Sequence, residues 1–381
     1  MVAAFHVGKV PPALPSIREE LGASLSQMGW LLSIVNLITA VGGMAIALTA
    51  DRLGHRRLVI VGTALCLFAS LGGAASGSVA TLLLWRALEG LGFIAVVVAI
   101  PTLVLRITLP PNQHFAMAWW STYMPAGAGA MMLIAAVVLP GASWRITWIV
   151  AAGASALMLL ALFLLALPSR ALDPVPVARH PVLQEMAAVA TGSGPLAIAL
   201  CFGAYSCCWY TVVGFLPTLQ VERLGLTTST AAIVAAVVTI ANVGGNLMAG
   251  WLLQRGVPRV VVITGAALSM AACAAGIFLD GVPDVLRLSL AGLYSAVIGA
   301  VPAALFAAIP IHAGQPRLVG AATGLLMQGS NFGALLGPPI TAALVSADGW
   351  PAAAWLTSTA LGTVAASGIF LHRRERRKVD T

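Results

Sequence analysis

Long apolar runs, interrupted at intervals by a few charges or turn residues, set the pattern of this chain. Leu58–Trp85 holds no charged residue, nor does the stretch from Met186 up to Glu222. Charges and turn residues divide the chain into twelve apolar segments, at 1–17, 25–50, 58–76, 80–107, 115–139, 146–167, 193–218, 229–253, 259–279, 285–311, 319–345 and 352–372. Most reach the roughly 20 residues that a bilayer-spanning helix needs. The pattern predicts an all-α membrane protein with twelve transmembrane helices. The longest gap carries Pro168, Pro174, Pro176 and Pro181 together with Arg170, Asp173, Arg179 and Glu185, the composition of a linker. It separates two six-helix bundles, 1–167 and 193–372, with a cytoplasmic linker at 168–192 and a basic cytoplasmic tail at 373–381.

The two halves repeat each other. Pro15-Ser-Ile-Arg-Glu-Glu-Leu-Gly22 matches Pro217-Thr-Leu-Gln-Val-Glu-Arg-Leu-Gly225, and Val41-Gly-Gly43 matches Val243-Gly-Gly245. Asp51-Arg52 corresponds to Gln254-Arg255, Arg86 to Arg287 and Pro101 to Pro302, all at offsets of 201–203. Parallel repeats of this kind mark a large transporter architecture. Span 7 starts near Pro195, so the offset places the start of span 1 about eight residues before Met1. The segment up to Ile17 covers only about 25 Å as a helix, against a hydrocarbon core of roughly 30 Å. A first helix lacking its cytoplasmic end is therefore expected, with a short, tilted or half-inserted segment as the alternative.

Composition and charge narrow the function. Apolar residues make up 60% of the chain and charged ones 8%, too little polar surface to coat a water-soluble globule. The net charge of +8 comes from short loops rather than one face, which argues for topology signals and against nucleic acid. With even-numbered helix ends in the cytoplasm, fourteen of the 20 Lys and Arg residues fall on that side; only Arg18, Arg145, Arg223 and Arg287 fall outside. Both termini are expected in the cytoplasm. Trp144, Trp148, Trp350 and Trp355 are expected near the outer interface. Neither Lys9 nor Lys378 belongs to a phosphate-binding loop, and H-E-x-x-H and C-x-x-C are absent from the sequence, so no cofactor or metal is expected. The cysteines Cys66, Cys201, Cys207, Cys208 and Cys273 lie in apolar segments and read as packing residues.

Ala47-Leu-Thr-Ala-Asp51-Arg52-Leu-Gly54-His55-Arg56-Arg57 resembles the G-x-x-x-D-R-x-G-R-R loop of the major facilitator superfamily, at the place where that family carries it. Ala47 and His55 depart from the pattern. Gly250-Trp-Leu-Leu-Gln254-Arg255-Gly-Val-Pro-Arg259 is similar to the degenerate second copy, and Arg86-Ala-Leu-Glu89-Gly90 to the family's R-x-x-x-G motif in span 4. Gly8-Lys-Val-Pro-Pro-Ala-Leu-Pro15, Tyr123-Met-Pro125, Gly214-Phe-Leu-Pro217 and Gly337-Pro-Pro339 resemble the cyanate/nitroimidazole (CynX/NimT) permease branch. The resemblance implies alternating access between two bundles, with Asp51, Arg52, Arg56, Gln254 and Arg255 as a conformational latch on the cytoplasmic side.

Charge buried within a span is costly and usually functional. Glu89 is the acid that falls well inside a span, and Lys9 and Arg86 are the embedded bases. On the boundaries above, Lys9 lies about 12 Å and Glu89 about 13 Å below the outer ends of their spans; in the resembling family those two helices line the cavity, which implies that the two can meet. A Lys9–Glu89 pair leaves Arg86 as the net positive charge, which predicts a small anionic or weakly acidic solute. The alternative is a structural bridge with Arg86 reaching outward. Glu89 is a candidate proton carrier, with His6 as the fallback. In the resembling family, helices 7 and 10 line the cavity, which brings in Tyr205, Trp209 and Tyr294, with Asn331, as substrate contacts. The expected function is secondary transport of a small solute across a bacterial inner membrane by a monomer in the lipid bilayer, with possible proton coupling. A multidrug or nitroaromatic exporter and, from a different class, a membrane-embedded enzyme are the competing readings.

Overall fold

A computed structural model describes residues 1–41, 54–109, 122–164, 182–315 and 318–379. All regular structure among the described residues is helical, and nine helices there are long and apolar enough to cross a membrane. Large apolar side chains such as Leu84, Val137, Leu157 and Leu268 are exposed, at 70%, 80%, 69% and 70%, a surface that water would not tolerate and lipid covers. The chain is a multi-pass membrane protein. Its contacts divide it into two compact units, Met1–Arg179 with Pro217–Ala236, and His180–Leu216 with Val237–Thr381.

The first unit opens with α1 (Val2–Gly8) and α2 (Val10–Leu21), which meet at Lys9. Pro11 and Pro12 have no amide hydrogen to give the carbonyls of Val7 and Gly8, so the helical hydrogen bonding breaks there. Lys9 keeps helical dihedrals, φ −69° and ψ −25°. α3 (Leu25–Ser33) starts at a capping box of Ser24 and Gln27 and runs into a 3₁₀ turn, Ile34–Asn36. α4 (His55–Ala74), α5 (Val79–Ile107), α6 (Tyr123–Val138) and α7 (Arg145–Leu164) follow. α4 packs on α5 and α7, and α1 packs on α6 and α7. The α1–α6 approach is tight: a Cβ at Gly8 would stand 2.4 Å from the carbonyl oxygen of Ala128.

The second unit holds α8 (Val182–Ala190), most of α9 (Ser193–Leu224) and of α10 (Thr228–Gln254), then α11 (Arg259–Phe278), α12 (Asp284–Ile298), α13 (Ala300–His312), α14 (Val319–Asp348) and α15 (Pro351–Val379). α11 packs on α15, α12 and α13. Along the α9–α14 seam a Cβ at Gly333 would lie 1.8 Å from the Gly203 carbonyl oxygen, which only glycine permits. Thr211 and Thr341 join hydroxyls across the same seam at 2.7 Å, as do Ser206 and Ser330 at 2.7 Å.

The sequence repeat reappears in the backbone. Gly22 and Gly225 close their helices at φ 61° and 63°, and Gly54 and Gly256 turn at φ 85° and 80°. These left-handed positions sit one repeat apart, where a side chain would be strained. α9 extends to Leu224, past the expected end of its span, and α15 runs to Val379, so the basic residues after His372 continue the last helix. Trp144 and Trp148 are 1% and 0% exposed and form an edge-to-face pair, so both pack inside the unit. Trp355 is 72% exposed.

Candidate functional site

In the first unit Lys9, between α1 and α2, is buried in the core, where α4, α5 and α7 bring side chains to meet it. Lys9 is 0% exposed, and its ammonium lies 4.6 Å from the centre of the Trp148 ring. It donates to Ser70 Oγ at 2.6 Å and to Glu89 Oε1. Ser70 in turn donates to Glu89 Oε1. Arg86, one helical turn before Glu89 on α5, donates to Glu89 Oε2 and to the carbonyl oxygens of His6 at 2.8 Å and Leu31 at 3.3 Å. His6 completes the group, with Nδ1 2.7 Å from Glu89 Oε1 and Nε2 2.9 Å from Ser155 Oγ on α7. Burial alone would make this carboxylate prohibitively costly; paired cations and hydrogen bonds on both oxygens compensate. With His6 neutral, Lys9 and Arg86 against Glu89 leave one net positive charge.

The four charged or titratable residues expected inside the first bundle therefore lie together: His6, Lys9, Arg86 and Glu89. Arg86 is 1% exposed and engaged by Glu89 and by two carbonyls, rather than held apart from the Lys9–Glu89 pair. Ser70, Ser155 and Trp148 are the members that sequence reasoning missed. Hydroxyls are common in apolar segments, and nothing local to these two sets them apart; Trp148 was masked by its interface-like position.

The contacts expected in the second unit are uncharged side chains. Tyr294 is 0% exposed, and Tyr205 packs its ring against Phe202 with centroids 5.2 Å apart. Trp209 is partly buried. Asn331 donates to the Met327 carbonyl of its own helix at 2.7 Å. Asn242 donates to the Ser295 carbonyl, and Asn246 to the Asn242 side chain at 2.9 Å. Arg287, the repeat counterpart of Arg86, donates to the carbonyls of Ile277, Leu279 and Val282, capping the end of α11.

Of the expected latch, Asp51 and Arg52 lie outside the described residues. Arg56 donates to the Leu162 carbonyl at 3.2 Å, Gln254 is exposed, and the Arg255 guanidinium stacks 3.9 Å from the Trp251 ring centre. A contact that the sequence did not suggest lies close by: Arg259 donates through one nitrogen to both oxygens of Glu375 at 3.2 Å, and His312 Nε2 is 3.2 Å from the same carboxylate. Within the first unit, Arg18 pairs with Glu222, and Arg145 with Glu20. The hydrogen bond from Arg145 holds the Glu20 carboxyl below its ordinary pKa.

An apolar, multi-pass helical protein with repeated halves and an occluded charge cluster defines a membrane transporter, and the comparisons agree. The Major Facilitator Superfamily model matches residues 1–315, and the chain belongs to that superfamily, whose members here are transporters rather than enzymes. It is 27% identical over 336 residues to the 3-(3-hydroxy-phenyl)propionate transporter of Escherichia coli (strain K12), covering 86% of this chain and 79% of that protein. It is 32% identical over 146 residues to the tetracenomycin C resistance and export protein of Streptomyces glaucescens, a match that spans only 38% of this chain and 27% of that protein. The crystal structure of a D-xylose-proton symporter superimposes with a TM-score of 0.75 at 13% identity, covering 97% of this chain and 94% of the other. That likeness establishes the shared fold.

Proposed function

We propose that this protein is a secondary carrier for a small carboxylate or similar weak acid, working by alternating access and coupled to protons. The observation that carries the reading is the cluster of Lys9, Arg86 and Glu89, one net positive charge sealed in the first unit. An enclosed excess of positive charge favours an anionic partner, and in a low-dielectric site that preference is strong. The likeness to an aromatic-acid transporter across most of the chain supports the same class. So does a partial match, 30% identical over 154 residues, to the human monocarboxylate transporter 11. The permease-branch resemblance is in keeping with a small solute. In this reading Tyr205, Trp209, Tyr294 and Asn331 supply uncharged contacts to the solute. Asp51, Arg52, Arg56, Gln254 and Arg255 act as the cytoplasmic latch. The protein works as a monomer in a bacterial inner membrane with both termini in the cytoplasm, in line with its loop charges.

The test is uptake of 3-(3-hydroxyphenyl)propionate into liposomes holding the purified protein, with the outside more acidic. Saturable accumulation and counterflow are expected, with at least a tenfold loss of uptake in Lys9→Met. If Lys9→Met takes up the acid as fast as the parent protein, the reading fails. The partial match to an export protein supports a second reading, efflux of a larger organic molecule. Another partial match is to a methyl viologen resistance protein; methyl viologen is a dication, which a positively charged interior would disfavour.

A further inference from the structure

We infer that the coupling proton is held on Nε2 of His6, with the Ser155 hydroxyl as its switchable partner, while Glu89 stays ionised as a fixed counter-charge. The inference deepens the proton-coupled reading above and rests on it. The argument is a count of donors and acceptors. Glu89 Oε1 receives hydrogen bonds from Lys9 and Ser70, and Oε2 receives one from Arg86. Placing a proton on this carboxyl would set a donor against a donor on whichever oxygen carried it. It would also leave two buried cations without an anion. Glu89 is thus the least suitable member of the cluster to accept a proton.

His6 is arranged differently at its two nitrogens. Nδ1 faces Glu89 Oε1 at 2.7 Å and Ser70 Oγ at 3.2 Å. Ser70 gives its own hydrogen to Glu89 and accepts one from Lys9, so it has none for the ring. Every neighbour of Nδ1 is an acceptor, and this nitrogen keeps its hydrogen in both charge states. Nε2 faces Ser155 Oγ at 2.9 Å, and Ser155 Oγ also lies 3.0 Å from the carbonyl oxygen of Ala151. A serine hydroxyl can serve either role. With His6 neutral, Ser155 donates to the Nε2 lone pair. When a proton from water arrives at Nε2, that nitrogen becomes the donor, and Ser155 swings its hydrogen to Ala151 O. No hydrogen bond is lost in either state, so loading is achieved by one rotation of a hydroxyl.

The surroundings agree with this division from every helix packed on α1. α5 contributes Arg86 and Glu89, α4 contributes Ser70 and Cys66, Lys9 follows α1, and α7 contributes Ser155. α6 adds Tyr123, packed on the same apolar cluster as Val7. His6 and Ser155 are both 0% exposed, so a proton held there is shielded from water until the packing around α1 opens. Loading raises the charge of the cluster from one net positive to two. The loaded state therefore binds an anion better, and one proton entering with one monovalent anion moves no net charge.

The experiment uses the full chain, labelled with ¹⁵N-histidine and held in lipid nanodiscs, with ring-nitrogen NMR shifts followed across pH. His6→Gln identifies the His6 signals. If that variant does not fold, a protein whose other five histidines are glutamine identifies them without touching the site. We expect Nε2 to pass from acceptor to protonated as pH falls, while Nδ1 stays protonated throughout. Ser155→Ala should weaken proton affinity about tenfold, because a charged ring loses more than a neutral one when its partner is removed. Ser155→Thr should restore it. The pH of half-maximal uptake of 3-(3-hydroxyphenyl)propionate should move with the NMR midpoint in both variants, which a merely structural serine would not cause. An Nε2 signal that never changes state, or an Nδ1 that loses its hydrogen, overturns the assignment. A clear His6 titration without pH-driven uptake of any carboxylate supports the proton site and overturns only the transport reading.

Discussion

At Arg86 a guanidinium reaches a carboxylate and two carbonyls in the interior of the first unit; one repeat later, at Arg287, it caps the end of a helix through three carbonyls. The same contrast runs through both units. The first buries His6, Lys9, Arg86 and Glu89 as one ionic group, and the second brings together hydroxyls, amides and tyrosines, such as Ser206 with Ser330 and Asn242 with Asn246. Both halves carry the same left-handed glycine turns, yet α1 and α2 break at Lys9 where α9 runs on unbroken, so the difference lies in the backbone as well as in the side chains. It teaches that repeated turns can frame differently charged interiors. A buried ion group is expensive and selects strongly for a charged partner, whereas a neutral polar surface adapts to shape and hydrogen bonding.

The comparison can be broken most decisively at Glu89. Glu89→Gln leaves Lys9 and Arg86 buried without an anion, and a loss of about 3–5 kcal/mol is expected, read as a large fall in the thermal midpoint of the solubilised protein. A loss as small as that of a hydroxyl deletion would show that the ionic core is not what distinguishes the first unit. Arg287→Gln should cost about 1–3 kcal/mol through the carbonyls it leaves unsatisfied. Its folded fraction should still take up 3-(3-hydroxyphenyl)propionate, while Arg86→Gln should abolish uptake; equal losses would erase the functional asymmetry between the arginines.

Smaller effects sharpen the same contrast. Thr341→Val removes the 2.7 Å hydroxyl contact with Thr211 in the neutral core and should cost about 0.5–1.5 kcal/mol by thermal shift. In the ion pair between them, the side chains of Arg18 and Glu222 are 44% and 33% exposed. Glu222→Gln should change stability by at most about 1 kcal/mol, and 1 M salt should remove the difference between variant and parent. A salt-resistant loss would mean that this pair is shielded as the Glu89 cluster is.

The apolar runs, the spacing of their interruptions and the paired motifs at offsets of 201–203 were enough to read an all-helical, duplicated membrane protein and to single out Lys9, Arg86, Glu89 and His6. That much is legible because a bilayer enforces length and apolarity on every spanning helix, and because charge within such a segment stands out against its surroundings. Tertiary packing alone decided which groups the charges meet. Arg86 and Arg287 read alike in the sequence, yet Arg86 meets a carboxylate one turn away on its own helix and Arg287 meets carbonyls at the end of a neighbouring helix. Ser70 and Ser155 are unremarkable hydroxyls until α4 and α7 bring them against α1, 64 and 149 residues from His6 along the chain. Trp148, expected near the outer interface, meets Lys9, a contact that its place in the sequence did not suggest. Periodicity records which side of a helix is apolar; hydrogen-bond direction and charge compensation depend on neighbours that only the folded chain brings within reach.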